Sequence, residues 1–242
     1  MQHHQVAVVT GSTKGLGRSV CEKLLNADWA VVGMARGASP LNHPQYTHMR
    51  VDLSQQEPTE TIFSSQIVPI LKRAKKVLMI NNAAVLGPIA PLADLDWETM
   101  SRIYTLNVVA PSWLAAQVLH VTAPSTSIQL VAISSGAARG AYSGWSMYCS
   151  TKAALRMVSQ VVAEERPMYP DKDISVLVYE PGVLDTDMQA QIRGADISKF
   201  PLKNKFVQLH KDGKLAACDK SAEYLLGLLS GLSGFKEARY EP

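Results

Sequence analysis

The sequence predicts an α/β protein, a single domain built on a doubly wound parallel sheet. Three observations carry that reading. Short apolar runs recur at residues 6–10, 30–34, 48–51, 77–80, 127–133 and 174–179. They are nearly continuous rather than alternating, as expected of strands buried on both faces of a parallel sheet. Helix-like stretches separate most of them, near residues 16–26, 58–73, 94–120, 145–166 and 220–229. Strand and helix in alternation give parallel pairs joined by crossovers, with ligands bound beyond the carboxyl ends of the strands. A length of 242 residues suits one such domain better than two small ones.

The elements follow in order. Runs 6–10 and 30–34 flank a helix at 16–26, which makes a first β-α-β unit. Pro111 falls inside the 94–120 stretch and is expected to kink or divide it, because proline removes a ladder donor. After the Pro181-Gly182 break, residues 183–213 are polar and charged, with Gly194, Pro201 and a Lys-rich centre. Two readings stand for this segment: a mobile flap over a site, or a structural pair of surface helices. No internal repeat or low-complexity tract occurs.

Composition narrows the class. Hydrophobic content of 47% and charged content of 19% are those of a globular protein, and no stretch is apolar enough to span a bilayer. A net charge of +3 with dispersed Lys and Arg leaves no nucleic-acid footprint. The cluster Lys72-Arg73-Ala-Lys75-Lys76 reads as the solvated end of a helix, where cations suit the dipole, with polyanion binding as the other reading. Cys21, Cys149 and Cys218 are odd in number and irregular in spacing, which fits free thiols. His3 and His4 fit a solvated terminus better than a metal site, and no metal is expected. The first residues run almost directly into a strand without the pattern of a leader, so the expected location is the cytoplasm.

The chemistry is concentrated in two motifs. Tyr148 and Lys152 are four apart on a helix, hence on one face, thirteen residues after Ser135. An ammonium beneath a phenol would hold its proton at a usable pKa, for exchange with a carbonyl or alcohol oxygen. Thr10-Gly11-Ser-Thr13-Lys14-Gly15-Leu16-Gly17 joins a strand to a helix, where a glycine-rich turn lets backbone approach a pyrophosphate. Proton donor and dinucleotide site together imply hydride transfer.

The chain resembles a short-chain dehydrogenase/reductase, a Rossmann-type fold, over essentially its whole length. The motifs stand in that family's order: the glycine turn, Asp52-Leu53, Asn81-Asn82-Ala83-Ala84, Asn107, Ile133-Ser134-Ser135, Tyr148-Cys-Ser-Thr-Lys152, and Pro181-Gly182 followed by Thr186. One departure is Ala84, where the family usually has Gly, which sets the backbone there slightly farther from a cofactor. The resemblance implies that Tyr148 protonates the substrate oxygen, Lys152 stabilises the phenolate and contacts the nicotinamide ribose, and Ser135 polarises the carbonyl. It makes Asn107 the holder of a water linked to Lys152. Gly11, Thr13, Lys14, Gly15, Leu16, Gly17, Arg36, Asp52, Leu53, Asn82, Ala83, Ala84, Tyr148, Lys152, Pro181, Gly182 and Thr186 are the expected cofactor contacts, with Asp52 equally able to cap the following turn. The second strand ends in Arg36 rather than an acidic residue, and Lys14 sits in the turn. Two cations facing a 2′-phosphate of charge about −1.5 to −2 favour NADPH.

Within the family, Gly144-Trp145-Ser-Met-Tyr148-Cys149, the run from Pro181 to Gln189, and Gly213-Lys214-Leu215 with Cys218 resemble sepiapterin reductases and microbial benzil reductases. That resemblance implies reduction of a small-molecule vicinal dicarbonyl. Trp145, Leu86, Val183, Met188 and Gln189 neighbour the motifs and are the expected pocket lining, with Trp145 and Met188 equally suited to a core. Glu241 is the counterpart of the carboxylate that anchors a pterin ring, or else an exposed terminal residue. The family resemblance implies a homo-oligomer, dimer or tetramer, packed through the 94–120 and 145–166 helices. A catalytically silent NADP(H)-binding regulator and an alcohol dehydrogenase working oxidatively are the remaining readings.

Overall fold

The computed structural model describes residues 4–39 and 41–241, so His3 and Pro242 lie outside the described residues. Seven parallel strands form one sheet in the order β3-β2-β1-β4-β5-β6-β7. They are β1 (Gln5–Thr10), β2 (Ala30–Ala35), β3 (Tyr46–Arg50), β4 (Lys76–Asn81), β5 (Ser127–Ile133), β6 (Asp173–Glu180) and β7 (Phe235–Arg239). The order reverses between β1 and β4, and the carboxyl ends of these two strands border the crevice.

Alternation along each strand feeds two cores. Val6 and Val8 of β1 face one cluster, Ala7 and Val9 the other, all fully buried. The second face is covered by α1 (Gly15–Asn26) and α9 (Cys218–Leu229). The first packs against α2 (Gln56–Ile62) and α3 (Val68–Leu71), joined by a π-helical turn Phe63–Ile67, and against α5 (Ala110–Val121). Helix α4 (Trp97–Tyr104) runs into α5 through a second π-helical turn, Thr105–Val109. Pro111 sits in the first turn of α5, just after the π-helical turn, so its missing N–H falls beside the break in the α-helical ladder that divides α4 from α5. Helix α6 (Ser146–Glu164) lies beside α5.

Residues 183–213 contain α7 (Asp187–Arg193) and α8 (Lys203–Lys211). Strand β7 was not expected, because Phe-Lys-Glu-Ala-Arg carries no apolar run. It is an edge strand, paired to β6 alone and half-solvated, where a buried-strand pattern is not required.

Candidate active site

The crevice is built by stitching the ends of β1 and β4 together. Thr10 Oγ1 accepts the backbone N–H groups of Asn82 and Ala83, each at 2.9 Å. Asn82 Nδ2 donates to the carbonyl oxygens of Thr10 and Gly11 at 2.8 and 3.3 Å. Gly11 has φ +67°, and a Cβ there would lie 2.8 Å from Asn82 Nδ2. At Gly17 a Cβ would lie 2.3 Å from Gly11 O, so the bare backbone lets α1 start against the turn. Lys14, at the N-cap of α1, makes no side-chain cap bond, and no acidic residue stands in the first turn. The leading amides of α1 therefore suit an anion such as a pyrophosphate. Thr186 reaches this turn from the far side, its Cγ2 lying 3.4 Å from where a Gly15 Cβ would be.

Leu16 is buried beneath the turn, while Thr13, Ala83 and Ala84 are half-buried at its rim. Just after β2, Arg36 Nη1 lies 3.9 Å from Asp52 Oδ2, and Leu53 is buried in the adjoining core. Asp52 Oδ1 accepts from Ser54 N at 3.0 Å and Ser54 Oγ at 2.7 Å, the contacts of a turn cap. Burial pushes the Asp52 carboxyl up, but the two Ser54 hydrogen bonds, with Arg36 and Arg102, outweigh it and hold the group below its ordinary value. Lys14 Nζ lies 2.5 Å from Asp187 Oδ2 at the start of α7, and this exposed contact lowers the Asp187 pKa. Both cations thus face a carboxylate, yet remain largely exposed.

Ser135 follows β5 in extended backbone, and its Oγ accepts the Ala137 N–H at 3.2 Å, fixing a short turn Gly136–Ala138. Tyr148 and Lys152 project from one face of α6, and both are buried. Lys152 Nζ donates to Ile133 O at 2.7 Å and lies 5.8 Å from the centre of the Tyr148 ring. Burial drives Tyr148 up to about 12, with a hydrogen bond to Ser135 opposing the shift and Cys149 adding to it. Burial alone brings Lys152 down to about 8. The spacing of Tyr148 and Lys152 predicts an ammonium that moderates the phenol, whereas burial dominates the shift of both groups. Tyr148 is a stored proton at neutral pH. Asn107, in the π-helical turn, accepts Val85 N–H at 2.9 Å and donates to Val85 O at 2.9 Å and Thr151 Oγ1 at 3.1 Å. It pins the segment after β4 to the turn of α6 that carries Lys152.

Above Tyr148 lies a satellite cluster containing Leu86, Ala137, Trp145, Ile192, Phe200 and Phe206, with Val183 and Met188 packed on it. Gln189 is buried, donates to Phe206 O at 3.3 Å and is held by Arg193, so it ties α7 to α8. Gln191 Nε2 donates to Gly87 O at 2.9 Å, tying α7 to the loop after β4. Glu241 is distant in character: its side chain is 77% exposed and 3.7 Å from Arg239. Pro181 and Gly182 are half-buried, with Tyr240 O 3.1 Å from where a Gly182 Cβ would be. Among the described residues, no group of three or more His, Cys, Asp or Glu is placed to hold a metal ion.

The family profile described as short chain dehydrogenase matches residues 5–196, most of the chain. The chain belongs to the short-chain dehydrogenase family. It is 32% identical to benzil reductase ((S)-benzoin forming) of Bacillus subtilis over 227 residues, covering 93% of each chain. It is 34% identical to mouse sepiapterin reductase, covering 93% of this chain and 91% of the mouse protein. The crystal structure of the KRED1-Pglu enzyme superposes with a TM-score of 0.83 at 28% identity, covering 97% of this chain and all of that one.

Several residues of this short-chain dehydrogenase site escaped sequence reasoning. Arg139, directly after the Ser135 turn, places Nη2 3.0 Å from Glu180 Oε1 and 3.1 Å from Glu237 Oε2. Neither buried Glu180 oxygen has a well-directed hydrogen bond, so Arg139 holds it by charge. Glu237 also receives Arg156 at 3.0 Å and Gln160 at 2.9 Å from α6. The network joins the Ser135 turn, the strand end before Pro181-Gly182 and the Tyr148 helix. No motif marks it. Phe200 and Phe206 left a faint signal as the two aromatic residues in an otherwise polar stretch. Among the described residues, no helix is long and apolar enough to cross a membrane.

Proposed function

We propose that this oxidoreductase is an NADPH-dependent carbonyl reductase of vicinal dicarbonyl compounds. The observation that carries the reading is the buried Tyr148–Lys152 pair at the base of an aromatic cluster, together with a glycine turn suited to a pyrophosphate at the carboxyl end of β1 in the same sheet. Bound NADPH would supply the hydride to one carbonyl carbon. Tyr148 gives its proton to the oxygen of that carbonyl, Lys152 stabilises the phenolate that remains, and Ser135 polarises the carbonyl. Asn107 holds the water that returns a proton through Lys152. Lys14 and Arg36 favour the 2′-phosphate, and Gly11, Thr13, Gly15, Leu16, Gly17, Asp52, Leu53, Asn82, Ala83, Ala84, Pro181, Gly182 and Thr186 complete the cofactor contacts.

The likeness to benzil and sepiapterin reductases suggests a dicarbonyl substrate, and the cluster favours aryl groups beside it. A pterin would need a carboxylate in the pocket. Glu241 serves that role only if the tail rearranges from its pairing with Arg239. We place the enzyme in the cytoplasm as a homo-oligomer packed through α4, the π-helical turn after it, α5 and α6, where Trp97, Val109, Met157 and Val161 are 85%, 56%, 56% and 46% exposed.

The test is a panel of benzil, sepiapterin and simple monoketones with both nicotinamide cofactors. Turnover of benzil with NADPH well above that of monoketones is expected. Binding of NADPH without oxidation on any member would instead favour the silent regulator, and preference for a secondary alcohol with NADP+ the oxidative reading.

A further inference from the structure

Trp145 stands immediately before α6, three residues from Tyr148. Its side chain is buried, with the residue 6% exposed, and its ring meets Tyr148 edge-on at 5.8 Å and 80°. Phe200 stacks on the indole at 4.8 Å and 14°, while Phe206 and Tyr142 lie 5.5 and 5.3 Å away. Within this aromatic surround Trp145 Nε1 is fully buried and has no hydrogen-bond partner. Buried indole N–H groups normally find an acceptor, because an unmade bond carries the whole desolvation cost. Packing does not explain the donor, since a phenylalanine would stack in the same cluster without stranding one.

We infer that Trp145 determines specificity by donating its Nε1–H to the second carbonyl oxygen of a vicinal dicarbonyl. The inference rests on the dicarbonyl reading above. When one carbonyl oxygen sits at Tyr148 and Ser135, the other is on the adjacent carbon, in the reach of donors on residues that touch Tyr148. Trp145 is in ring contact with Tyr148 and carries the unused donor. A monoketone leaves that donor stranded, and a site built to pair a polar group discriminates against the analogue that lacks it. Phe200, fully buried between α7 and α8, stacks on the face of the indole and leaves its in-plane N–H free of that contact.

The test crosses enzyme with substrate. Benzil and deoxybenzoin differ by one carbonyl oxygen, and Trp145→Phe removes the donor while keeping an aromatic ring. Their four kcat/KM values cancel the greater intrinsic reactivity of benzil. Trp145→Phe should lower kcat/KM for benzil roughly tenfold more than that for deoxybenzoin. A second measurement needs no variant: in 15N-labelled wild-type protein with NADP+, benzil should move the Trp145 indole N–H resonance downfield and deoxybenzoin should not. Equal losses on both substrates, or a resonance that responds alike to both, overturns the role of Trp145 while leaving dicarbonyl reduction standing. Absence of NADPH oxidation with benzil in the wild type removes the functional reading and this inference with it.

Discussion

Arg139→Met isolates the charge network behind the Ser135 turn. Glu180 is 3% exposed at its side chain, and among the described residues Arg139 is the cation within salt-bridge range of it. Glu237 is less vulnerable, because Arg156 and Gln160 continue to hold it. Removing one partner of a buried pair costs about 3–5 kcal/mol. Arg139 is itself 47% exposed, so solvent already screens the pair, and we discount the loss to about 2–3 kcal/mol. For a chain of this size each kcal/mol moves Tm by about 2–4 °C, which gives a fall of about 4–12 °C. Scanning calorimetry measures the fall. Adding Glu180→Gln to Arg139→Met should recover at least half of the loss, since the stranded charge is gone. A fall under 2 °C would refute the assignment of Arg139 as the counterion of a buried carboxylate.

Three further expectations concern the chemistry. Tyr148→Phe keeps the ring packing and cofactor binding but loses the proton, so turnover should fall by ~10²–10⁴-fold; activity within twofold of the parent removes Tyr148 from the mechanism. Arg36→Asp replaces an attractive charge with a repulsive one, so Kd should rise far more for NADPH than for NADH; equal losses would make Arg36 a positioning residue. Lys152, brought down to about 8 by burial, is an ammonium below that pH and neutral above it. Reduction should therefore decline as pH rises through about 8, and a profile flat from pH 7 to 10 would show that its charge is not used. The stability sign is opposite. A folded pKa beneath the ordinary 10.5 means that the buried ammonium opposes folding fully below about pH 8, and the penalty is relieved as pH rises towards 10.5.

Much of the architecture was legible along the chain. The runs of β1, β2, β4, β5 and β6 are apolar on successive residues because both faces of each strand are buried, and that demand is written in a few consecutive positions. Helical spacing likewise puts Tyr148 and Lys152 on one face, and the glycine turn announces a close approach of backbone that the clash distances at Gly11 and Gly17 make explicit. Tertiary structure decided the rest. Edge strand β7 depends on an available partner in β6, and the helices at 187–193 and 203–211 depend on packing Phe200 and Phe206 around Trp145. Arg139, Glu180, Glu237 and Arg156 meet only because β6, β7 and α6 are brought side by side. The direction of the Tyr148 shift belongs to the same class: periodicity shows which residues share a face, whereas desolvation is imposed by residues distant in the chain that exclude water from it.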